Sequence, residues 1–156
     1  MTGQPRGGIR MRSNDFDDHR TLPRWCGKDE GNRPPALEWD GVPEGTAELA
    51  LICEDPDAPG GNFLHWLVSA IPPSTRGLGG GAELPPDAVE HRNDFGRRGW
   101  DGPRPPAGDQ PHRYFFRLYA VSRPLRLTAE STSDDLRDAL HGAELAHGDL
   151  VGLYQR

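Results

Sequence analysis

Apolar and polar positions along this chain fall into short blocks separated by turn residues, and the blocks predict strands. The clearest is Leu49-Ala50-Leu51-Ile52-Cys53, inside a strand over 48–54. A run that is apolar at nearly every position has both faces covered, so this strand reads as central in its sheet. A second strand is predicted over 63–71, closed by Pro72-Pro73, and a third, the most aromatic, over 114–121 (YFFRLYAV). Shorter signals add to these. Ala36-Leu37-Glu38-Trp39 alternates after Pro34-Pro35, which forbid a helix there. The segment 149–154 (DLVGLY) reads as a final strand, and 13–18, polar apart from Phe16, as a first edge strand. Segments 21–33 and 74–89 read as loops. The second contains Gly79-Gly80-Gly81 but lacks the Gly-Lys-Ser/Thr that completes a phosphate-binding P-loop. One helix is predicted over 131–140. Ser131, Thr132 or Ser133 can cap it, Asp134 and Asp135 suit its positive end, and Gly142 can close it. Strands with long loops and one late helix predict a mainly β fold: a β-sandwich or packed antiparallel sheets with a helix appended.

The totals refine this picture. A chain of 156 residues is long enough for one core, and neither a repeat nor a linker divides it. The apolar share of 34 %, with 20 Gly and 16 Pro, points to turns and loops rather than helices. Residues 1–12 are expected to be disordered and 13–156 to form the domain. A net charge of −6, mixed in sign without a polybasic block, argues against a nucleic-acid backbone as the main partner. It leaves room for one small anion in a local pocket. No apolar run approaches the length of a membrane span and the first residues lack the apolar core of a secretory signal, so a cytoplasmic location is expected. Cys26 and Cys53 fit no metal or redox spacing and read as reduced thiols.

Two loops share an unusual grammar. The first, DPDAPGGNFLHW over 55–66, holds two carboxylates, two prolines and two glycines before His65-Trp66. Pro56 and Pro59 fix φ near −65° and make the turn rigid, so Asp55 can be held at a strand end, close to His65 where the two strands neighbour each other. The second runs from Asn93-Asp94-Phe95-Gly96 through Gly99-Trp100-Asp101-Gly102-Pro103-Arg104-Pro105-Pro106 to His112-Arg113-Tyr114. Each delivers a histidine to a strand start, which predicts one shared site of Asp55, His65, His112 and Tyr114, with Asp57 beside it. Taken singly, Asp55 can bond its own turn and a histidine beside tryptophan can be plain core; together they reinforce each other. Three chemistries suit two His and one Asp. In order, they are binding of a phosphate or carboxylate, a two-His-one-carboxylate metal site, and hydrolysis. The last lacks a nucleophile, because there is no Gly-x-Ser-x-Gly elbow and neither Cys adjoins a His. His19, His91, His141 and His147 lie in polar or loop contexts and are weaker candidates.

Asp55-Pro56-Asp57-Ala58-Pro59, His65-Trp66, Asn93-Asp94-Phe95-Gly96, Gly102-Pro103, Pro105-Pro106 and His112-Arg113-Tyr114 resemble the two signature regions of the phosphatidylethanolamine-binding proteins. The closer likeness is to the bacterial Raf-kinase-inhibitor-like branch. Pro34 to Trp39 and the ending 150–156 extend it over nearly the whole chain. The resemblance implies an antiparallel β-sandwich with peripheral helices and a small cavity for phosphate or phosphorylethanolamine-type anions. Carried over by position, that cavity is formed by Asp55, His65, His112 and Tyr114, with Phe63 and the loop from Gly102 through Pro105 to Pro106 as walls. It implies no cofactor, no metal and no catalysis. Homodimers are implied among bacterial relatives. The alternative is a regulator that inhibits a kinase or a protease through protein contacts. Two residues depart from the family pattern: Arg104 adds a fixed positive charge to the wall, and Trp100 narrows the mouth.

Overall fold

The structure is a computed structural model and describes residues 8–156. Two sheets face each other. One has three strands: β1 (Arg10–Arg12), β3 (Leu37–Asp40) and β6 (Gly77–Leu78), with β3 in the middle. The other has six, in the order β2 (Arg20–Thr21), β9 (Glu144–Tyr154), β8 (His112–Val121), β4 (Glu48–Asp55), β5 (Phe63–Ile71), β7 (Val89–Glu90). Every ladder is antiparallel except β2 with β9, which is parallel, so the larger sheet is mixed rather than purely antiparallel.

The pattern of β4 explains the layering. All eight of its residues are buried. Successive side chains leave a strand on opposite faces. Leu49, Leu51 and Cys53 therefore enter the core between the sheets, while Ala50 and Ile52 enter a second cluster on the outer face. Tyr114, Phe116, Leu118 and Ala120 of β8 line the first core at the same two-residue spacing. The second cluster is covered by Leu136 of α1 (Ser133–Leu140). Helix α1 starts at a capping box, with Thr132 accepting from Asp135 N and the Asp135 carboxylate accepting from Thr132 N. Arg137 of that helix reaches back to the buried carboxylate of Glu54 at 2.6 Å. Asn62 and Arg117 also approach Glu54. The helix is thus tied to β4 by an ion pair as well as by apolar contact.

The strands over 48–54, 63–71 and 114–121 and the helix lie where the pattern puts them, and both cysteines are free and buried. Four expectations need correction. Of the tail over 1–12, residues 1–7 lie outside the described residues. Residues 8–12 are ordered instead, with Ile9 buried and β1 paired to β3 through Met11 and Trp39. Residues 13–18 form bends rather than an edge strand, with Phe16 in the core. The loop over 74–89 is not all surface, because Gly77-Leu78 pairs with β3 and Leu78 is buried. Finally, β9 begins at Glu144, five residues before the predicted final strand. Its polar first half is held by main-chain pairing to β8.

The Arg137→Ala variant leaves the Glu54 carboxylate buried without its nearest cation. A destabilisation of about 2 kcal/mol is expected in urea unfolding, below the full cost of an enclosed pair because Arg137 is itself half exposed. A change within about 0.3 kcal/mol would show that the pair is dispensable.

Candidate functional site

The site is assembled where β4 ends and β5 and β8 begin. Asp55 is the last residue of β4 and faces Phe63 across the ladder. His65, two residues along β5, shares the Phe63 face. His112 opens β8, and Tyr114 follows on the same face. The first loop is locked in place. Asp57 N donates to Asp55 Oδ1 at 2.7 Å, and the Asp57 carboxylate accepts from Arg113 N, Nε and Nη2 at 2.9, 3.0 and 2.8 Å. Those bonds hold the Asp57 carboxyl below its usual range, and they fasten the loop to the start of β8.

The second loop is fastened to β5. Asp94 Oδ2 accepts from Leu64 N at 2.8 Å, and Asp94 N donates to Leu64 O at 3.0 Å. Asp101 is fully buried, and its carboxylate accepts from Asn32 Nδ2 at 3.0 Å and Asn93 Nδ2 at 2.9 Å. Lys28 Nζ stands 3.5 Å away and Arg97 Nε 3.7 Å. Burial works against its ionised form, but these partners win and hold the carboxyl below its usual range. The next residue, Gly102, donates its N–H to Asn32 Oδ1 at 2.7 Å. Its Cα lies so close to the chain that a Cβ would stand 1.8 Å from Cys26 O, so only glycine fits.

The pKa values of the two histidines are driven in opposite directions. His65 Nδ1 lies 2.7 Å from the carbonyl oxygen of Asp101. A carbonyl only accepts, so Nδ1 carries the proton. Burial then lowers the pKa of this ring, outweighing Asp55, Asp94 and Asp101 nearby. His112 Nδ1 lies 2.7 Å from Asp55 Oδ2 and Nε2 lies 3.1 Å from Asp109 Oδ2. Burial alone would lower its pKa as well, but the two carboxylates outweigh it and raise it, favouring the imidazolium. Burial and then the Asp55 charge push the Tyr114 hydroxyl up, so it stays protonated as a donor.

Together these groups form the floor of a cavity of about 250 Å³. Phe63, Phe95, Ala58, Pro59, Pro105 and Pro106 make its apolar walls, and Arg104 stands at its rim, paired to Asp29 at 3.1 Å. The Phe63 and Phe95 rings meet edge-on with centroids 4.7 Å apart.

The predicted residues Asp55, Phe63, His65, Pro105, His112 and Tyr114 all border this cavity. Gly102 does not; it lies behind the wall. Trp100 does not narrow the mouth either. It is buried, stacked on Phe116 at 6.1 Å and edge-on to Trp66 at 5.7 Å. Asp55 bonds His112 rather than His65. Among the described residues, no cluster of three His, Cys, Asp or Glu side chains is placed to hold a metal. Sequence reasoning missed Asp109 and Asn32. Asp109 was legible in principle, three residues before His112 in a Gly/Pro loop, whereas nothing marked Asn32 within its loop.

Comparison with known proteins gives the site a family context. A family model described as "Phosphatidylethanolamine-binding protein" matches residues 12–155. A UPF0098 protein of Methanothermobacter thermautotrophicus is 40 % identical over 152 residues, covering 95 % of this chain and 99 % of its own. The crystal structure of Escherichia coli YbcL, described as a new member of the mammalian PEBP family, superposes with a TM-score of 0.88 at 33 % identity. It covers 96 % of this chain and 99 % of its own. A Mycobacterium tuberculosis relative, LppC, provisionally named a lipoprotein, is 36 % identical over 140 residues, 90 % of this chain and 69 % of its own.

In a ¹⁵N NMR titration of the ring nitrogens, His65 is expected to titrate below 6.5 and His112 above it. The unfolded chain takes up protons near 6.5 at both. The stabilisation from His112 is therefore complete below 6.5 and lost as pH rises through its folded pKa, while that from His65 is complete above 6.5 and lost as pH falls through its own. Their joint contribution to stability peaks near 6.5. Two rings titrating together would contradict the assigned hydrogen bonds.

Proposed function

The chain belongs to the phosphatidylethanolamine-binding protein family, and on that premise we propose that its cavity binds a small anionic group of the phosphate or phospholipid head-group type. The protein acts by recognition, without turnover. The observation that carries this reading is His112, buried at the cavity floor with one ring nitrogen on Asp55 and the other on Asp109, a setting that favours its charged form. Tyr114 adds a hydroxyl donor and Arg104 a second positive charge at the rim. Asp109, half exposed, can swing off Nε2 and leave that N–H to an incoming oxygen.

Size and chemistry limit the ligand. About 250 Å³ falls below the ~300–1,000 Å³ of drug-sized pockets, which suits a head group. The residues bordering the cavity include no Ser, Cys or Thr. Burial raises the Cys26 thiol to about 12 and the Cys53 thiol upward as well, so neither supplies a thiolate at neutral pH. Both facts favour binding over covalent catalysis. We assign the protein to the cytoplasm; among the described residues no helix is long and apolar enough to cross a membrane. Cell fractionation decides between this and a lipid-anchored form.

NMR titration of the wild-type protein with inorganic phosphate and phosphorylethanolamine is expected to give saturable shifts at His65, His112 and Tyr114. Affinity should fall at least about ten-fold in the His112→Ala variant, where a charge-assisted donor is lost. No shift at millimolar ligand would count against the pocket reading.

A further inference from the structure

Within the cavity His65 has a fixed role. Its Nδ1–H is committed to Asp101 O at 2.7 Å, and among the described residues Nε2 has no hydrogen-bond partner while its ring borders the cavity. A neutral imidazole donates through one nitrogen and accepts through the other. With the donor spent on a main-chain carbonyl, His65 can offer the cavity only the Nε2 lone pair. That carbonyl is not free to move. Its residue is anchored by Asn32 and Asn93 on the carboxylate, by the Asp101 N–H to His65 O at 3.3 Å, and by the close fit of Gly102 against Cys26.

Asp55 is a second acceptor on the same floor. Each of its oxygens already takes one bond, from Asp57 N and from His112 Nδ1, and each retains a lone pair. The charged and titratable groups around His65 are Asp55 from β4, Asp94 and Asp101 from the second loop, His112 and Tyr114 from β8, and Arg104 at the rim. Donors for an anion therefore come from Tyr114, whose hydroxyl also faces Asp55, from Arg104, shared with Asp29, and from His112 Nε2 once Asp109 swings aside, while His65 and Asp55 accept. A fully ionised phosphate oxygen placed against His65 Nε2 would set two lone pairs facing each other.

We propose that the cavity selects a singly protonated phosphomonoester over a phosphodiester, with the ligand's P–OH donating to His65 Nε2 and its anionic oxygens taking the donors of Tyr114, Arg104 and His112. The proposal rests on the anion-binding reading above and narrows it. A phosphodiester, the form present in an intact phospholipid, carries no such proton, and binding it leaves Nε2 unpaired. The proton stays on the ligand oxygen and is shared in the hydrogen bond, so no bond is broken.

Ethyl phosphate and dimethyl phosphate are isomers of equal size; at about pH 6 dimethyl phosphate is a monoanion and about half of the ethyl phosphate is, a phosphomonoester's second pKa lying near 6. They differ in the P–OH. NMR titration of ¹⁵N-labelled protein with each is expected to show ethyl phosphate binding at least about ten-fold more tightly, the cost of leaving a buried acceptor unpaired. His65 Nε2 should keep the ¹⁵N shift of an unprotonated nitrogen in the complex. Equal affinities would overturn the proposal while leaving the anion-binding reading intact. So would an imidazolium signal for His65 on binding. Glycerophosphorylethanolamine, a diester whose donors are an ammonium and two glycerol hydroxyls rather than a P–OH, serves as a third arm; if it matches ethyl phosphate, the monoester preference fails and a lipid head group becomes the ligand. Failure of all three ligands to shift the pocket residues would remove the anion-binding reading itself.

Discussion

The fully buried carboxylate of Asp101 holds together the parts of the chain that make the cavity. It joins Asn32 from one loop, Asn93 from another and the charges of Lys28 and Arg97, while its main chain is bonded to His65 in both directions. A buried charge with one weak partner is costly, and a buried charge with several directed donors is stable and rigid. Those donors come from two segments 61 to 69 residues apart along the chain, Asn32 and Asn93 being the nearer pair and Lys28 and Arg97 the farther. The carboxylate therefore performs a long-range closure that the apolar cores do not. Removing it would leave β5 paired and the loop still held at Asp94, but the stretch opposite His65 without its side-chain anchor.

A second buried carboxylate, Asp55, works differently. It is shared between its own turn and His112, so it sets the charge of a ring rather than the position of a loop. The two histidines belong to one cavity and carry opposite protonation preferences, because burial prevails at His65, whose partner is a neutral carbonyl, while two carboxylates outweigh burial at His112. Residue type alone does not decide whether a histidine donates or accepts; its partner on the far nitrogen does.

The sequence was most informative where side chains alone decide the outcome. The alternation of β4 across two clusters, the aromatic face of β8 and the Asp-Pro and Gly-Pro loops that lead into His65 and His112 could all be read from residue types. It was least informative where main-chain pairing overrides an unpromising pattern. Arg10-Met11-Arg12 and Gly77-Leu78 have little apolar content, yet both pair with β3, and the polar start of β9 is held by β8. The same limit applies to the site. Six of the seven predicted lining residues border the cavity, but which acid pairs with which ring depended on angles across the sheet. Trp100 looked like a gate because its neighbours in the chain are loop residues, whereas its side chain turns into the core between Trp66 and Phe116.

The larger sheet ends on each side in a strand of only two residues, β2 and β7. Beside β2, the outer margin of β9 is occupied by Ile9 N on His147 O, His19 N on Val151 O, Leu22 N on Leu153 O and the Asp18 carboxylate on Val151 N. An uncovered margin of this kind is a template for a foreign strand. Here the irregular segment that patterning had set down as disordered tail, edge strand and loop takes up those main-chain groups, leaving little for another chain to extend. At this margin, association with a second molecule must then go through side-chain surfaces, and the margin resists growth into a continuous intermolecular sheet.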